Sequence, residues 1–438
     1  TDASGAFTAD RLLEGEYTVI VSAQGHLPAT ATVTVTAGTV ARLDVTLQPY
    51  DVGVLGDSGG ALTAYLRANG VAATELAWSA GLDLDGFEAV VVNGGSPDRA
   101  TYDAVVAAAD TAQASLIYTG TWGVDRGGVR LLERHTGRIS VTAQGYGDGA
   151  VVLEGLAAGH PLFAGLTDPA QLIVAGGYYS VGGGYAGKPL AQLSVTRPDG
   201  SVVRGLGVGF DWRTAASVEV VLSAGAVTEA VGPELGWTDA GRRLLLNAVS
   251  WARSAAMPVP ATPAVTAPAV TLDETITVSG TADWPSTVHL RIGTPEASVA
   301  FTAVTALDGT WSAKIPLAVG PNALTATAVN AAGASGVSAA VVVQRWSPAW
   351  TVPGTGQSRP VQLRLDGVTP GRAPADRAVL VVRDATGAEV ARSALKWTDE
   401  RFYLAVLKGL PAGTYTLSAE LTVGATTVTA DGPEVLFQ

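Results

Sequence analysis

The sequence predicts a multidomain protein in which an α/β domain with a parallel sheet is flanked by all-β sandwich domains. Between residues 51 and 256, short continuous apolar runs alternate with helical spacing and end in glycine-containing turns, which is typical of strands covered on both faces by helices. Outside this region, apolar and polar residues alternate over short segments, as in half-buried strands. A proline-rich stretch at 257–263 separates the α/β region from the C-terminal β segments.

Composition limits the possible functions. The 438 residues exceed what one hydrophobic core usually holds, and 47% apolar with 15% charged residues is typical of folded domains. The net charge of -12 argues against a nucleic-acid partner. No apolar run reaches the roughly 18 residues of a membrane span. Because the chain has no cysteine, it has no disulfide, thiolate metal site or cysteine nucleophile.

Residues 1–50 predict a small β module. Apolar residues alternate with polar ones at 17–21, 31–35 and 43–47. Residues 1–7, 13–17 and 25–26 resemble the carboxypeptidase regulatory-like family, a small transthyretin-like β-sandwich. That family begins one or two strands earlier, so the resemblance implies a partial module within a longer polypeptide.

The central region starts with a short strand at Val52–Leu55 and a helix at Ala61–Ala68. A second strand at 71–76, a buried strand at Ala89–Val92, a helix at 102–109 and a strand at 115–118 follow. In such sheets, ligands bind beyond the carboxyl ends of the strands, where glycine-containing turns lie at 56–59, 93–96 and 119–123. The first turn lacks the spacing of a dinucleotide loop, and Asp57 or Ser58 is expected to cap the following helix.

This central layout resembles the class I glutamine amidotransferase-like fold, which includes the ThuA-like proteins and has a flavodoxin-like parallel sheet. The resemblance covers residues 51–256. It is most specific at residues 90–95, 118–123, 159–163 and 237–251.

The resemblance implies a pocket without catalytic machinery. Where the family carries a nucleophilic cysteine between glycines, this chain offers Thr121 or Trp122, and where the family has its histidine base, the aligned residue is Asp211. A threonine and an aspartate are a poor nucleophile–base pair at neutral pH. We therefore expect no catalytic residue. The candidate vestigial pocket consists of Gly94, Gly95, Thr121, Trp122, Asp211 and Trp212.

Tyrosines next to glycine runs form a second candidate site for ligand stacking, made of Tyr146, Tyr178, Tyr179 and Tyr185. Aromatic faces suit sugar rings or peptides, although such tyrosines also serve simply to cover a sheet. His135 and His160 lie far apart in sequence and argue only weakly for a metal. No metal site and no cofactor are predicted.

After the proline-rich linker, short strands recur at regular intervals. Residues 308–311 and 320–328 resemble a bacterial Ig-like module, in which Asp308 and Gly309 are expected to form a hairpin turn and Trp311 to lie in the core. A last β-sandwich follows at 346–432. Residues 433–438 resemble the remnant of a tag-cleavage site and are excluded from the predicted fold. The predicted segments are thus 1–50, 51–256, 257–345, 346–432 and 433–438.

This order of modules resembles the C-terminal region of a secreted bacterial subtilisin-like (S8) serine protease. The resemblance implies a secreted or extracellular, non-catalytic accessory region that binds or positions protein substrate or cell-surface polysaccharide. Its partner would be an upstream protease domain of the same precursor, although the chain carries no motif of that protease. The alternatives are a carbohydrate-binding or carbohydrate-active ThuA-like domain, expected to cluster polar groups and aromatics, and a structural stalk, expected to lack a pocket. The chain itself is expected to be non-catalytic, and the resemblance implies that its parent polypeptide is a serine endopeptidase.

Overall fold

In the computed structural model, the described residues are 6–9, 12–23, 26–57, 59–119, 127–146, 150–173, 178–223, 238–294, 297–354, 356–368, 371–398 and 402–438. The chain divides into two compact units, residues 1–257 and 258–438. The described strands form six sheets. The protein is therefore multidomain and mostly β.

Among the described residues of the first 50, the strands β1 (Gly15–Val21) and β2 (Ala29–Val35) form an antiparallel pair. Alternate residues of both strands are half-buried and exposed, as the sequence pattern predicts. None of the described side chains between residues 6 and 49 is fully buried. This pair alone therefore supplies no closed core within the described residues.

The central region contains most of the helices. Those in the described residues are α1 (Ala61–Ala68), α2 (Arg99–Ala112), α3 (Gly128–Thr136) and α4 (Asp239–Arg253), with a 3-10 turn at Pro161–Phe163. The strands are β3 (Val52–Leu55), β4 (Ala73–Leu76), β5 (Ala89–Val92), β6 (Ser115–Thr119), β7 (Ile139–Tyr146), β8 (Val151–Glu154), β9 (Ala170–Ile173), β10 (Tyr178–Tyr185), β11 (Lys188–Thr196), β12 (Val202–Trp212) and β13 (Val218–Leu222).

These strands belong to one mixed sheet. Neighbouring strands are parallel in the order β4-β3-β5-β6-β13 and antiparallel in the continuation β12-β11-β8-β9. Strands β7 and β10 pair with each other beside this path. Every residue of β3, β5, β6 and β13 is buried, because such strands are covered on both faces.

Polar side chains cap the starts of α1 and α2. The Asp57 carboxylate accepts hydrogen bonds from the backbone N–H of Leu62 at 3.0 Å and of Thr63 at 2.7 Å, which confirms that the turn after β3 caps α1. Asp98 accepts from the N–H of Thr101 at the start of α2.

The region between the proline-rich stretch and residue 345 forms two sheets. One contains β14 (Ala264–Thr266), β16 (Thr275–Thr281) and β19 (Thr310–Pro316), and the other β15 (Val270–Thr271), β17 (Thr287–Thr294), β18 (Ala297–Val304), β20 (Gly320–Asn330), β21 (Gly333–Ala334) and β22 (Val341–Arg345). Trp311 is 3% exposed and lies in the core, as predicted.

The turn at Asp308 and Gly309 differs from the prediction. Asp308 accepts from the N–H of Thr310, and Gly309 has a φ of 83°, so a tight turn is present. However, β18 and β19 belong to different sheets. The predicted hairpin is therefore wrong: the turn carries the chain from one sheet to the other.

The last region also forms two sheets. They contain β23 (Ser347–Thr351), β24 (Ser358–Asp366), β27 (Lys396–Trp397) and β28 (Phe402–Lys408), and then β25 (Arg377–Asp384), β26 (Glu389–Ala394), β29 (Gly413–Val423) and β30 (Thr426–Phe437).

The exclusion of residues 433–438 from the fold is corrected by strand β30. Val435 pairs with Tyr415 of β29, and Phe437, which is 1% exposed, pairs with Gly413. The guanidinium of Arg359 lies 4.7 Å from the Phe437 ring centroid. An alternating segment with apolar residues at 435 and 437 extends an existing strand and fills the core.

Candidate ligand-binding site

Two carboxylates face each other across neighbouring strands of the central sheet. Asp211 of β12 lies directly opposite Glu219 of β13. Glu219 is only 1% exposed, although charged residues rarely occupy buried strand positions without a partner. Like charges in this position repel, so the pair requires compensation.

Arg138, which follows α3, supplies that compensation. Its guanidinium forms ion pairs with Asp211 and, through Nε at 3.2 Å, with Oε1 of Glu219. Although burial lowers the pKa of Arg138, the negative charges of Glu219 and Asp211 raise it above its ordinary value overall. Arg138 therefore stays charged and joins β12, β13 and the end of α3.

Two further side chains complete the environment of Glu219. The Tyr185 hydroxyl donates a hydrogen bond to Oε1 at 3.0 Å, and Nη1 of Arg213 lies 3.9 Å from Oε2. Burial, followed by the charge of Glu219, raises the pKa of Tyr185 well above its ordinary value, so this hydroxyl remains a donor. Arg213 also forms an ion pair with Asp110 of α2. We call Asp110, Arg138, Asp211, Arg213 and Glu219 the arginine–carboxylate cluster.

An open cavity of about 240 Å³ lies at this cluster. Its lining comprises the five cluster residues together with the half-buried Trp212. The cavity thus offers guanidinium donors, carboxylate acceptors and an indole side by side. Since each carboxylate is engaged by an arginine, the geometry suits hydrogen bonding to a ligand better than proton abstraction.

At the carboxyl ends of the parallel strands β3 and β5, backbone and the Trp78 side chain lie close together. Gly56 follows β3 and approaches the residues after β5 so closely that a Cβ atom on it would lie 2.1 Å from the carbonyl oxygen of Gly94. Trp78 donates a hydrogen bond from Nε1 to that oxygen at 2.9 Å, and a Cβ on Gly95 would lie 2.4 Å from the same nitrogen. The Trp78 ring also stacks against Tyr102, at 6.1 Å. The indole therefore occupies the space beside the Gly94–Gly95 turn.

The register separates the two halves of the predicted vestigial pocket. Gly94 and Gly95 lie beyond Val92, which pairs with Tyr118 near the carboxyl end of β6. Asp211 lies opposite Glu219, which pairs with Leu116 near the amino end of β6.

The two groups are therefore roughly 10 Å apart or more along the strands. Grouping Gly94 and Gly95 with Asp211 and Trp212 in one pocket was wrong, because β12 runs antiparallel to β13 and brings its last residues to the opposite edge. Thr121 and Trp122 lie outside the described residues.

The four predicted stacking tyrosines fall on β7 and β10. Tyr146 pairs with Tyr178, and Tyr179 with Gly145, in the antiparallel ladder of these strands; the side chains of Tyr146, Tyr178 and Tyr179 lie outside the described part of the structure. Tyr185 lies at the other end of β10 and contacts the cluster through its hydroxyl. Stacking by these tyrosines remains a prediction.

The histidines serve as packing residues in the described structure. His135 is 6% exposed and stacks on Tyr102 at 4.5 Å. His160 accepts a hydrogen bond from the N–H of Leu162 and packs against Trp251 at 4.8 Å. Burial lowers the pKa of both histidines. Among the described residues, no group of three or more potential ligands could hold a metal ion.

Sequence reasoning missed Asp110, Arg138, Arg213 and Glu219 as site residues. Arg138 and Glu219 lie 81 positions apart, and spacing gives no sign of their contact. One signal was nevertheless present. Glu219 interrupts the apolar run of β13, and a carboxylate inside a buried strand predicts a buried partner.

Comparison with known proteins identifies the N-terminal module. Residues 1–48 match the carboxypeptidase regulatory-like domain family. This match confirms the resemblance seen at residues 1–7 and 13–17. It covers only this part of the chain, and the comparison with curated proteins gives no match.

Two solved structures are similar to parts of the chain. The FN1–FN3 domains of chicken CNTN1 are 9% identical, with coverage of 68% of this chain and 98% of that chain and a TM-score of 0.24. A two-domain fibronectin type III segment of chicken tenascin is 14% identical, with coverage of 40% and 98% and a TM-score of 0.22. At these TM-scores, neither likeness establishes the fold or the function of this chain. No helix in the described residues is long and apolar enough to cross a membrane.

Proposed function

We propose that the chain is a non-catalytic accessory region of a secreted bacterial protein, which binds protein substrate or cell-surface polysaccharide. The observation that carries this proposal is the arginine–carboxylate cluster, where an open cavity adjoins carboxylates already paired with arginines. General-base catalysis requires a group free to accept a proton, whereas recognition requires fixed donors and acceptors. The cluster meets the second requirement.

The central domain is further proposed to be a degenerate member of the class I amidotransferase-like fold. Numbered by their succession along the chain, its five parallel strands have the order 2-1-3-4-5, which is that of flavodoxin-like sheets. Ligands of such sheets bind where the strand order reverses. Here that point lies between β3 and β5, and Trp78 bonds to Gly94 beside it. Because Trp78 occupies this crevice, the proposed domain has lost the amidotransferase activity of the family.

The wider context proposed is a subtilisin-like protease on the same polypeptide. Support comes from the order of modules, and the first of these modules matches the carboxypeptidase regulatory-like family at residues 1–48. Mass spectrometry of the intact source protein tests this context. A precursor joining a protease domain to this region supports it, and a precursor without any protease domain contradicts it.

Co-sedimentation with insoluble polymers tests the binding function itself. The purified chain is mixed with peptidoglycan, chitin, cellulose or gelatin beads, and assayed in parallel for hydrolysis of casein and glycosides. Retention on at least one polymer with no hydrolysis is expected. Hydrolysis lost in Asp211→Asn would overturn the non-catalytic assignment, and absence of retention on all polymers would favour the structural stalk.

Carbohydrate binding by a ThuA-like domain is the second candidate. It is favoured by Trp212, which lines the cavity next to Asp211 and Arg138. An aromatic face beside paired donors and acceptors suits a sugar ring. Preferential retention on the polysaccharides over gelatin would distinguish it from recognition of protein.

A further inference from the structure

The charge balance of the arginine–carboxylate cluster restricts its ligand. Three carboxylates and two guanidiniums line the same cavity. An anionic ligand would face Asp110, Asp211 and Glu219, and a cationic ligand would face Arg138 and Arg213. Either ionic ligand would have to displace an existing ion pair, so a neutral ligand rich in hydroxyl groups fits best.

The side chains that line the cavity differ in exposure. The Glu219 side chain is 2% exposed and Arg213 12%, whereas Asp110 is 45% exposed and Arg138 36%. Glu219 and Arg213 therefore form a buried base, while Asp110 and Arg138 remain accessible at the opening. A hydroxylated ring entering the cavity would meet acceptors and donors at its rim without breaking the buried contacts.

The volume restricts the size of the ligand. At about 240 Å³, the cavity is smaller than the roughly 300–1,000 Å³ of sites for drug-sized ligands. It suits one sugar ring rather than a chain passing through. Because the cavity is open to solvent, the remainder of a polymer could continue outward from that ring.

The geometry points to a site for a single neutral sugar ring, the exposed end of a polysaccharide, held against Trp212 by the arginine–carboxylate cluster. This inference rests on the proposed binding function and names its ligand class. Asp110 and Arg138 hydrogen-bond ring hydroxyls at the opening. Trp212 contributes the apolar contact.

Titration of the full chain with monosaccharides, followed by ligand-observed NMR and calorimetry, tests the site. The probes are glucose, galactose, mannose and N-acetylglucosamine, with glucuronate and arginine methyl ester as charged comparisons. A neutral sugar is expected to bind with a Kd on the order of 1 mM. Glucuronate and arginine methyl ester are expected to bind more weakly.

Variants locate the binding. Trp212→Ala is expected to weaken it about tenfold and Asp110→Asn about threefold. The matched control is Asp103→Asn, because Asp103 lies on the same helix and also pairs with an arginine, Arg99. This control should stay within about twofold of the unchanged chain. Circular dichroism of each variant checks that the fold is retained.

The outcomes separate this site from the general function. Sugar binding unaffected by Trp212→Ala and Asp110→Asn overturns the site and leaves the proposed function intact. Retention on polymers without binding of any monosaccharide also overturns the site and leaves the proposed function intact. Tighter binding of glucuronate than of the neutral sugars overturns the ligand class. Failure to bind both monosaccharides and polymers overturns both proposals.

Discussion

Asp211 and Glu219 illustrate how single residues depend on their neighbours. They lie directly opposite each other on β12 and β13, and Arg138 forms ion pairs with both. A buried charge that loses its partner costs far more than the pair contributes. The cluster should therefore tolerate changes at its rim better than changes at its base.

Glu219→Ala is expected to lower the free energy of unfolding by about 2–4 kcal/mol. The change leaves Arg213 beside an empty buried position and removes the acceptor of Tyr185. Urea unfolding followed by circular dichroism measures the effect. Glu75→Ala, an exposed glutamate on β4, is the control and should change stability by less than about 0.5 kcal/mol. Equal effects of the two changes would show that the buried ion pairs contribute little.

Stability should fall as the pH drops from about 7 towards 5. Burial lowers the folded-state pKa of His135 and His160 below the ordinary value of about 6.5. In this pH range, the unfolded chain therefore binds more protons than the folded chain. The contribution of the two neutral histidines to the free energy of unfolding is complete above about pH 6.5 and is lost as the pH falls through the folded-state pKa values.

His135→Phe keeps a ring against Tyr102 and removes one titrating group. It should reduce the slope of unfolding free energy against pH in this window, leaving the contribution of His160. The charged groups that interact with His135 include Asp98, Arg99, Asp103 and Arg134. Unfolding measured at several pH values gives the slope, and an unchanged slope in His135→Phe would contradict the assignment.

At the scale of elements, α3 begins where two backbones almost touch. The N–H of Gly128 donates to the carbonyl oxygen of Asn93, and a Cβ atom at Gly128 would lie 1.9 Å from the carbonyl oxygen of Val92. Backbone cannot move aside as a flexible side chain can. The close approach of α3 to the end of β5 therefore requires glycine.

Gly128→Ala is expected to destabilise the chain by about 3 kcal/mol, at the upper end of the usual overpacking cost. Gly81→Ala is the matched control, because the nearest atom to its added Cβ would be 4.0 Å away. Thermal unfolding compares the two. A Gly128→Ala variant as stable as Gly81→Ala would show that α3 shifts freely.

The end of β30 gives a second prediction for an element. Phe437→Ala should cost about 3–5 kcal/mol, because the ring is fully buried and contacts Tyr415. Leu436, the preceding residue, is 52% exposed, so Leu436→Ala should have little effect. Urea unfolding of the two variants measures the contrast, and similar values would place residues 433–438 outside the cooperative fold.

At the scale of the whole molecule, each compact unit has its own buried core. Leu116→Ala in the first unit and Leu380→Ala in the second should each cost about 2–5 kcal/mol. Since the units are joined through the proline-rich stretch at 257–263, each change should lower only the transition of its own unit in calorimetry. Both transitions shifting together in either variant would show that the units unfold as one.

The sequence predicts local elements better than their assembly. The run Ala89–Val92 is a buried strand because its three consecutive valines favour a strand, and Asp57 caps α1 as predicted. The direction of β12 was not predictable, because its residues alternate alike in parallel and antiparallel sheets. That direction decides whether Asp211 faces Gly94 or Glu219, and so it decides the site.

The side chain of Trp78 occupies the crevice of the central domain. Its indole fills space beside Gly94 and Gly95 and satisfies a backbone carbonyl oxygen there. In a Trp78→Gly chain, that vacancy would have the outline of free indole and an acceptor already in place. Added indole could then restore the lost contact, so that a small molecule from the medium would control the stability of the domain. A crevice filled by a side chain of the protein could in this way become the receptor of an engineered chemical switch.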